Sequence, residues 1–125
     1  MSSIQGVRGA TTADVNSKEA ILESTTELLQ ELVKANRIEV PDIAAVHFTA
    51  TDDLNAEYPA LAARQIGWVT TALMCSREIS VPGSVTLCIR VLILLNTDKP
   101  AKEIKFVYMK GASNLRNRGM EKPGD

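Results

Sequence analysis

The most apolar stretch of the chain reads Val85-Thr86-Leu87-Cys88-Ile89-Arg90-Val91-Leu92-Ile93-Leu94-Leu95. This composition predicts a long central strand that is apolar on both faces. Because side chains alternate along a strand, Arg90 shares a face with Cys88 and Leu92 and cannot slip to solvent at a strand end. An unpaired charge in such a run costs several kcal/mol to desolvate. Arg90 therefore needs a carboxylate such as Glu78 in a structural ion pair, or a bound anionic ligand, and the sequence alone leaves both open.

Around this strand the sequence predicts a single domain with the element order β-α-β-α-β-β-β. Asn16 or Ser17 is expected to cap the first helix, and Asn16 with Glu19 has the spacing of a capping box. One long and one short helix leave part of a sheet of about five strands uncovered, so we expect other subunits to bury an apolar face. The predicted strands are Ile4–Ala10, Ile43–Ala50, Trp68–Cys75, Val85–Leu95 and Glu103–Lys110, and the predicted helices are Lys18–Ala35 and Pro59–Ile66.

The composition narrows the classes of partner. The 125 residues are 45% hydrophobic and only 4% aromatic, and 14 basic residues face 15 acidic ones for a net charge of −1. This balance gives no reason to expect nucleic acid or an anionic membrane surface as a partner. The longest apolar run is too short for a membrane-spanning helix, and no charged-then-apolar leader is present. We therefore expect a soluble cytoplasmic protein.

Soft metal ligands and nucleophiles are few. Cys75, Cys88 and His47 make three soft ligands, whereas structural zinc usually needs four, so no metal is expected. A cytosolic setting also argues against a disulfide. Cys75 would need a nearby base to act as a nucleophile, and only His47, which we interpret as structural, is available.

Three further polar residues, Arg8, Glu78 and Tyr108, stand in apolar or glycine-rich surroundings. Arg8 lies between Gly6 and Gly9, where it is either a surface arginine or one with room for a ligand beside it. Glu78 is either a solvated loop carboxylate or a site residue, and Tyr108 either a core tyrosine or a site residue. Tyr58 and Arg64, near the two ends of the short helix, are either ordinary exposed residues or face a groove. A site made of arginines, one carboxylate and one phenol is suited to bind a small anion.

An ordered set of motifs carries a resemblance to a known family. The chain resembles the small monofunctional chorismate mutases of the trimeric, pseudo-α/β-barrel type over about residues 4–116. Each motif alone is weak, but the set keeps the family's order and spacing. The motifs are Gly6-Val7-Arg8-Gly9-Ala10-Thr11-Thr12, the segment from Thr49 to Ala60, Ala62-Ala63-Arg64 with Gly67-Trp68, Cys75 with Glu78, Cys88-Ile89-Arg90-Val91, and Val107-Tyr108.

The resemblance implies a fold and a reaction. It implies a chorismate mutase domain over residues 1–116, an α+β subunit with a mixed sheet, and a flexible polar tail over residues 117–125. Three subunits would pack their sheets into a barrel-like homotrimer, with active sites between neighbours. The reaction would be the pericyclic conversion of chorismate to prephenate, on the route to phenylalanine and tyrosine. No cofactor and no covalent intermediate would be needed.

The resemblance also assigns roles to the catalytic residues. Arg90 would donate to the ether oxygen of chorismate and to its side-chain carboxylate. Arg8 and Tyr108 would hold that carboxylate. Glu78 would accept from the ring hydroxyl, and the Cys75 backbone would help to bind the same group.

Further residues would bind substrate, and some depart from the family pattern. The segment from Tyr58 to Arg64 would come from the neighbouring subunit. Leu61 stands where relatives often have lysine, so one cation is missing from the rim, and Tyr58 replaces a common phenylalanine. The substrate-binding residues would be Tyr58, Ala60, Arg64, Leu73, Met74, Ser76, Arg77 and Leu115.

Two other functions are compatible with the same features. One is a non-catalytic trimer that binds a small anionic metabolite. The other is an imine or enamine deaminase of similar subunit shape, which would need a C-terminal arginine–glutamate pattern that the sequence does not show. Intact Arg8, Glu78, Arg90 and Tyr108 favour the mutase.

Overall fold

A computed structural model describes residues 3–115 as one mixed five-stranded sheet with helices on one side. The elements are β1 (Ser3–Thr12), α1 (Lys18–Asn36), β2 (Ile43–Ala50), α2 (Ala60–Gln65), β3 (Leu73–Arg77), β4 (Cys88–Thr97) and β5 (Val107–Tyr108), with short 3-10 turns at Val40–Asp42, Ala101–Glu103 and Lys110–Ala112. The spatial order of the strands is β3-β2-β4-β1-β5. β4 is antiparallel to both β1 and β2, whereas β2–β3 and β1–β5 are parallel pairs. The predicted α+β sheet with one long and one short helix is confirmed.

The long helix α1 supplies the main core against one face of the sheet. Leu28, Leu29 and Leu32 are fully buried on it and pack with Val7 of β1 and Ile93 of β4. Truncating any one of these leucines to alanine would typically cost about 2–5 kcal/mol. Of the two predicted caps, Ser17 caps the N-terminus of α1, because its hydroxyl accepts a hydrogen bond from the Ala20 N–H at 3.1 Å.

Gly9 shows how closely helix and sheet approach. A Cβ at this position would meet Leu32 Cδ1 at 2.9 Å and Leu28 Cδ1 at 3.1 Å. The expectation that something approaches the first strand closely is therefore right, but at Gly9 the approaching group is α1. Room for a ligand beside Arg8 has to come from the opposite face of the sheet.

The opposite face of the sheet is open in the single chain. Ile4, Met74, Leu92 and Leu94 all expose more than a third of their surface there. The central strand is apolar on both faces, as predicted, but in one chain only the face toward α1 is buried. The expected uncovered apolar face is present, and the cavity described below opens on it.

Two predicted strand starts are wrong. Residues 68–72 are not a strand, because the Trp68 N–H bonds to the Ala63 carbonyl at the end of α2 and the Trp68 side chain is buried in the core. β4 starts at Cys88, not Val85, because Leu87 has a left-handed backbone with φ 50°. The Asp53 carboxylate accepts a hydrogen bond from the Leu87 N–H at 2.9 Å and thereby fixes this turn.

The last strand is also shorter than predicted. Within the predicted strand Glu103–Lys110, only Val107 and Tyr108 form a strand, which pairs with β1. Asn36, buried at the end of α1, binds both backbone groups of Lys105 through its side-chain amide, at 2.7 and 2.8 Å. Those groups are therefore unavailable to a neighbouring strand. The predicted tail over residues 117–125 lies outside the described residues.

Candidate active site

An ion pair between Arg90 and Glu78 is the centre of the site. Arg90 Nη1 lies 3.5 Å from Glu78 Oε1, and the two side chains are 42% and 21% exposed. Glu78 follows the end of β3, where its N–H donates to the Ala50 carbonyl at 3.0 Å. The ion pair with Glu78 is thus present, whereas a bound anionic ligand at Arg90 stays a prediction, for which the open space beside the pair leaves room.

Arg8 and Tyr108 reach the same space from the other side of β4. Arg8 stands opposite Leu92 on the open face, with its guanidinium carbon 4.9 Å from the Phe106 ring centroid, a cation–π contact. Tyr108 is held beside Ala10 by the parallel β1–β5 pairing. The chain ends thus deliver a cation and a phenol to the strand that carries Arg90.

These residues line one cavity, which we call the sheet-face pocket. Its volume is about 150 Å³, and it opens broadly to solvent. Pockets that enclose a small molecule usually measure about 300–1,000 Å³, so the walls supplied by this chain are incomplete. The pocket is lined by Arg8, Gly9, His47, Thr49, Glu78, Arg90, Val91, Leu92 and Tyr108.

Two of these lining residues, Thr49 and His47, are not among the predicted site residues. Thr49 appears only within a motif, and His47, which we interpret as structural, is exposed and contacts Ser76 Oγ at 2.5 Å through Nε2. The signal was present in the alternation of β2. Val46 and Phe48 are buried, so His47 and Thr49 must face the other side, the side of Arg90.

A second opening, which we call the β3-edge groove, lies beside the start of α2. Its volume is about 450 Å³, and Tyr58, Pro59, Cys75 and Arg77 are among its lining residues. Tyr58 is 71% exposed. The chain does not bring Tyr58 into the sheet-face pocket, so this part of the predicted substrate-binding set is separate from Arg90 within one subunit.

Cys75 belongs to this groove. Burial raises the pKa of its thiol, and a hydrogen bond from the Ala60 backbone and the charge of Arg64 offset only part of that rise. The thiol is therefore protonated near neutral pH. Cys75 pairs with Phe48 in the sheet, so it faces away from His47, and the geometry gives it no base.

The remaining predicted binding residues are dispersed. Leu115 borders the space next to Arg90, close to the sheet-face pocket. Leu73 packs against the main core, whereas Met74 is exposed on the open face. Arg77 is bound to Asp52 at 2.9 Å. Ser76 is engaged by His47, as described above, so neither of these two side chains reaches Arg90.

The described residues also limit other chemistries. Across residues 3–115, no three His, Cys, Asp or Glu side chains come together in a way that could hold a metal ion. Both cysteines are free. None of the helices in residues 3–115 is long and apolar enough to cross a membrane.

The sheet-face pocket suits an anion that also carries a hydroxyl group. Two guanidinium groups and a phenol can donate to carboxylates or to an oxygen that gains negative charge, and Glu78 can accept from a hydroxyl. Donors fixed on a sheet need little rearrangement as charge develops. Such a site favours a reaction driven by positioning and charge stabilisation.

Comparison with known proteins gives one consistent family. The model of the family "Chorismate mutase type I" matches residues 4–118. A chorismate mutase AroH of Thermus thermophilus is 46% identical over 114 residues, covering 90% of this chain and 93% of that protein. The AroH chorismate mutase of Bacillus subtilis (strain 168) is 37% identical over 114 residues, covering 90% of each. A solved chorismate mutase from Clostridium thermocellum is 50% identical with a TM-score of 0.85, covering 86% of this chain and 96% of that one.

Proposed function

The chain belongs to the chorismate mutase type I family, and we propose that its sheet-face pocket is the place where chorismate is rearranged to prephenate. Its activity is that of a chorismate mutase, an isomerase of aromatic amino acid biosynthesis. One observation carries the placement of the site. Arg8, Glu78, Arg90 and Tyr108, from both ends and the middle of the chain, line a single cavity.

The chemistry of the substrate explains why these groups are needed. Chorismate is a dianion with an enolpyruvyl ether; the ether C–O bond breaks as a new C–C bond forms, and negative charge builds on the ether oxygen. Arg90 donates to that oxygen and so stabilises the transition state more than the ground state. Its 3.5 Å ion pair with Glu78 uses one guanidinium nitrogen, which leaves other N–H groups of the fork for substrate.

The other groups hold the substrate in a reactive shape. Arg8 and Tyr108 bind the side-chain carboxylate and favour the folded, chair-like conformer. Glu78 accepts a hydrogen bond from the ring hydroxyl. The Cys75 backbone assists with that hydroxyl, while the Cys75 side chain plays no chemical part because it faces the β3-edge groove.

We further propose that the active unit is a homotrimer with sites between subunits. The open sheet face exposes the apolar side chains of Ile4, Met74, Leu92 and Leu94, and their contact with water is unfavourable. The sheet-face pocket lacks walls, and a neighbouring subunit would supply them with Tyr58 from its β3-edge groove and with Ala60 and Arg64 from its α2. Sedimentation equilibrium should give three chains at micromolar concentration; a stable monomer would overturn this assembly.

A cytoplasmic location is the remaining part of the proposal. Cys75 and Cys88 are both free thiols in the structure. Thiols are kept reduced in the cytosol, whereas secreted proteins tend to pair their cysteines. Fractionation of cells that produce the protein at its natural level tests this point, and recovery in a membrane or secreted fraction would contradict it.

A direct assay tests the activity. Purified protein is mixed with chorismate and EDTA, without any added metal or cofactor, and both chorismate loss and prephenate formation are followed. Saturable prephenate formation is the expected result. Binding of chorismate without turnover would instead indicate a non-catalytic binder of an anionic metabolite.

A further inference from the structure

Thr49 occupies a central place in the sheet-face pocket. In the sheet register it stands opposite Arg90 on β4 and Ser76 on β3. It is half-buried and lines the same cavity as Arg8 and Glu78. The threonine is therefore a neighbour of the main cation and lies one strand away from the segment that leads to the carboxylate.

Among the charged side chains of residues 3–115, Glu78 is the hydrogen-bond partner of Thr49. Its hydroxyl donates to Glu78 Oε2, while Arg90 Nη1 lies 3.5 Å from the other oxygen, Oε1. The Glu78 N–H is fixed to the Ala50 carbonyl at 3.0 Å. Backbone and both carboxylate oxygens of Glu78 thus each have their own partner.

We propose that Thr49 is a positioning residue, which holds the Glu78 carboxylate so that the Arg90 fork stays available to substrate. This inference rests on the proposed site, in which Arg90 acts on the reacting ether. A carboxylate beside an arginine tends to form two parallel hydrogen bonds with it. The Thr49 hydroxyl engages one carboxylate oxygen and keeps Glu78 from turning fully onto Arg90.

The proposal predicts which kinetic constant changes. Without the hydroxyl, Glu78 turns toward Arg90 and occupies donors that the transition state needs. Arg8 and Tyr108 still bind the side-chain carboxylate of the substrate. The loss therefore appears in kcat more than in KM, because it concerns interactions that strengthen in the transition state.

Three variants test this. Thr49→Val keeps the shape and the β-branch of the side chain but removes the donor, and it should lower kcat roughly tenfold or more, with a smaller change in KM. Thr49→Ser restores a hydroxyl and should recover most of the loss. Thr97→Val, at the far end of β4, removes a hydroxyl that only accepts from the Lys99 N–H and should leave kcat unchanged.

A double-mutant cycle separates positioning from other roles. If Thr49 acts through Glu78, then Thr49→Val should have no further effect on kcat in a Glu78→Ala background. Equal losses in both backgrounds would overturn the proposal, as would a Thr49→Val enzyme with normal kcat. Circular dichroism and sedimentation of each variant normalise the rates to folded, assembled protein.

The same experiments distinguish this inference from the proposed function. An inactive wild-type protein would sink the proposed function itself. An active wild-type protein whose Arg90 variants lose turnover, but whose Thr49→Val variant does not, would leave the function standing and remove only the role of Thr49.

Discussion

The sheet-face pocket and the β3-edge groove differ in how completely one chain builds them. In the pocket, Arg90 pairs with Glu78 and Arg8 lies over Phe106, so its cations already have partners. In the groove, Tyr58 is largely exposed, although it belongs to the predicted substrate-binding set. One chain therefore brings together the groups that would act on the reacting atoms of the substrate. The groups that would enclose the substrate lie exposed on the surface of that chain. Under the proposed assembly, the two regions should respond differently to mutation.

The largest effect is expected for Arg90→Lys. The charge is kept, but the planar fork that reaches an ether oxygen and a carboxylate together is lost. Removing one such donor typically costs about 10²–10³-fold in turnover, and we expect at least that in kcat. Steady-state kinetics with sedimentation measures this. A trimeric Arg90→Lys protein with normal kcat would show that Arg90 is only a structural charge and would break the contrast between the two regions.

A smaller but still large effect is expected for Glu78→Ala. The variant removes the acceptor for the ring hydroxyl and leaves Arg90 without its carboxylate. We expect a loss of about 10- to 100-fold in kcat, in line with a charged hydrogen bond of roughly 1.5–3 kcal/mol. The kinetics of Glu78→Gln provide the matched control for shape. If both variants raised only KM, Glu78 would belong with the enclosing residues instead.

Arg64→Ala should affect substrate binding, in contrast to the pocket variants, which should affect turnover. Arg64 would sit at the rim of a neighbouring subunit, where water and salt partly screen its charge. We expect KM to rise about tenfold, which corresponds to ~1.4 kcal/mol, with kcat little changed. The rise should shrink at high ionic strength. Loss of kcat with an unchanged KM would contradict the assignment of Arg64 to substrate capture.

Cys75→Ala should have the smallest effect on activity. The thiol lies in the groove with a raised pKa and has no base beside it, so it does no covalent chemistry. Most of the turnover should remain, and so should turnover after treatment with a small thiol-blocking reagent that leaves the groove open. An inactive but folded Cys75→Ala protein would contradict this placement.

Cys88 gives a separate prediction for stability. Burial raises the pKa of its thiol from 9.0 to about 11. Between these values the unfolded chain releases the proton while the folded chain retains it, so stability falls as the pH rises through this range. Thermal unfolding should show the advantage of the wild type over Cys88→Ala shrinking from pH 9.0 toward 11. A constant gap would mean that the folded thiol ionises normally.

Local pattern predicted much of the fold and of the site. β2 has the predicted bounds, and α1 extends one residue beyond its predicted end, because alternation and helical periodicity are local signals. The strand ends that failed depend on distant partners. Asp53 fixes the turn before β4, and Asn36 hydrogen-bonds to the backbone of Lys105. The sequence next to either strand end does not indicate these contacts.

The site follows the same division. The structure places Arg8, Glu78, Arg90 and Tyr108 in one cavity, as the motif set implied. The sequence does not predict that Thr49 and His47 line this cavity, because their place in it depends on neighbouring strands, which only the register reveals. The face to which they point was nevertheless readable from the buried Phe48 between them.

The pairing of β5 with β1 has a consequence for the time course of synthesis. Thr12 and Gly111, 99 residues apart in sequence, are joined by a hydrogen bond, and Tyr108 lies beside Ala10. A ribosome adds roughly 5–20 residues per second, so Arg8 emerges seconds before the segment that completes its surroundings. Contacts of such long sequence separation are also slow to form. A nascent chain therefore holds no finished pocket until the segment with Tyr108 has been made and has paired with β1.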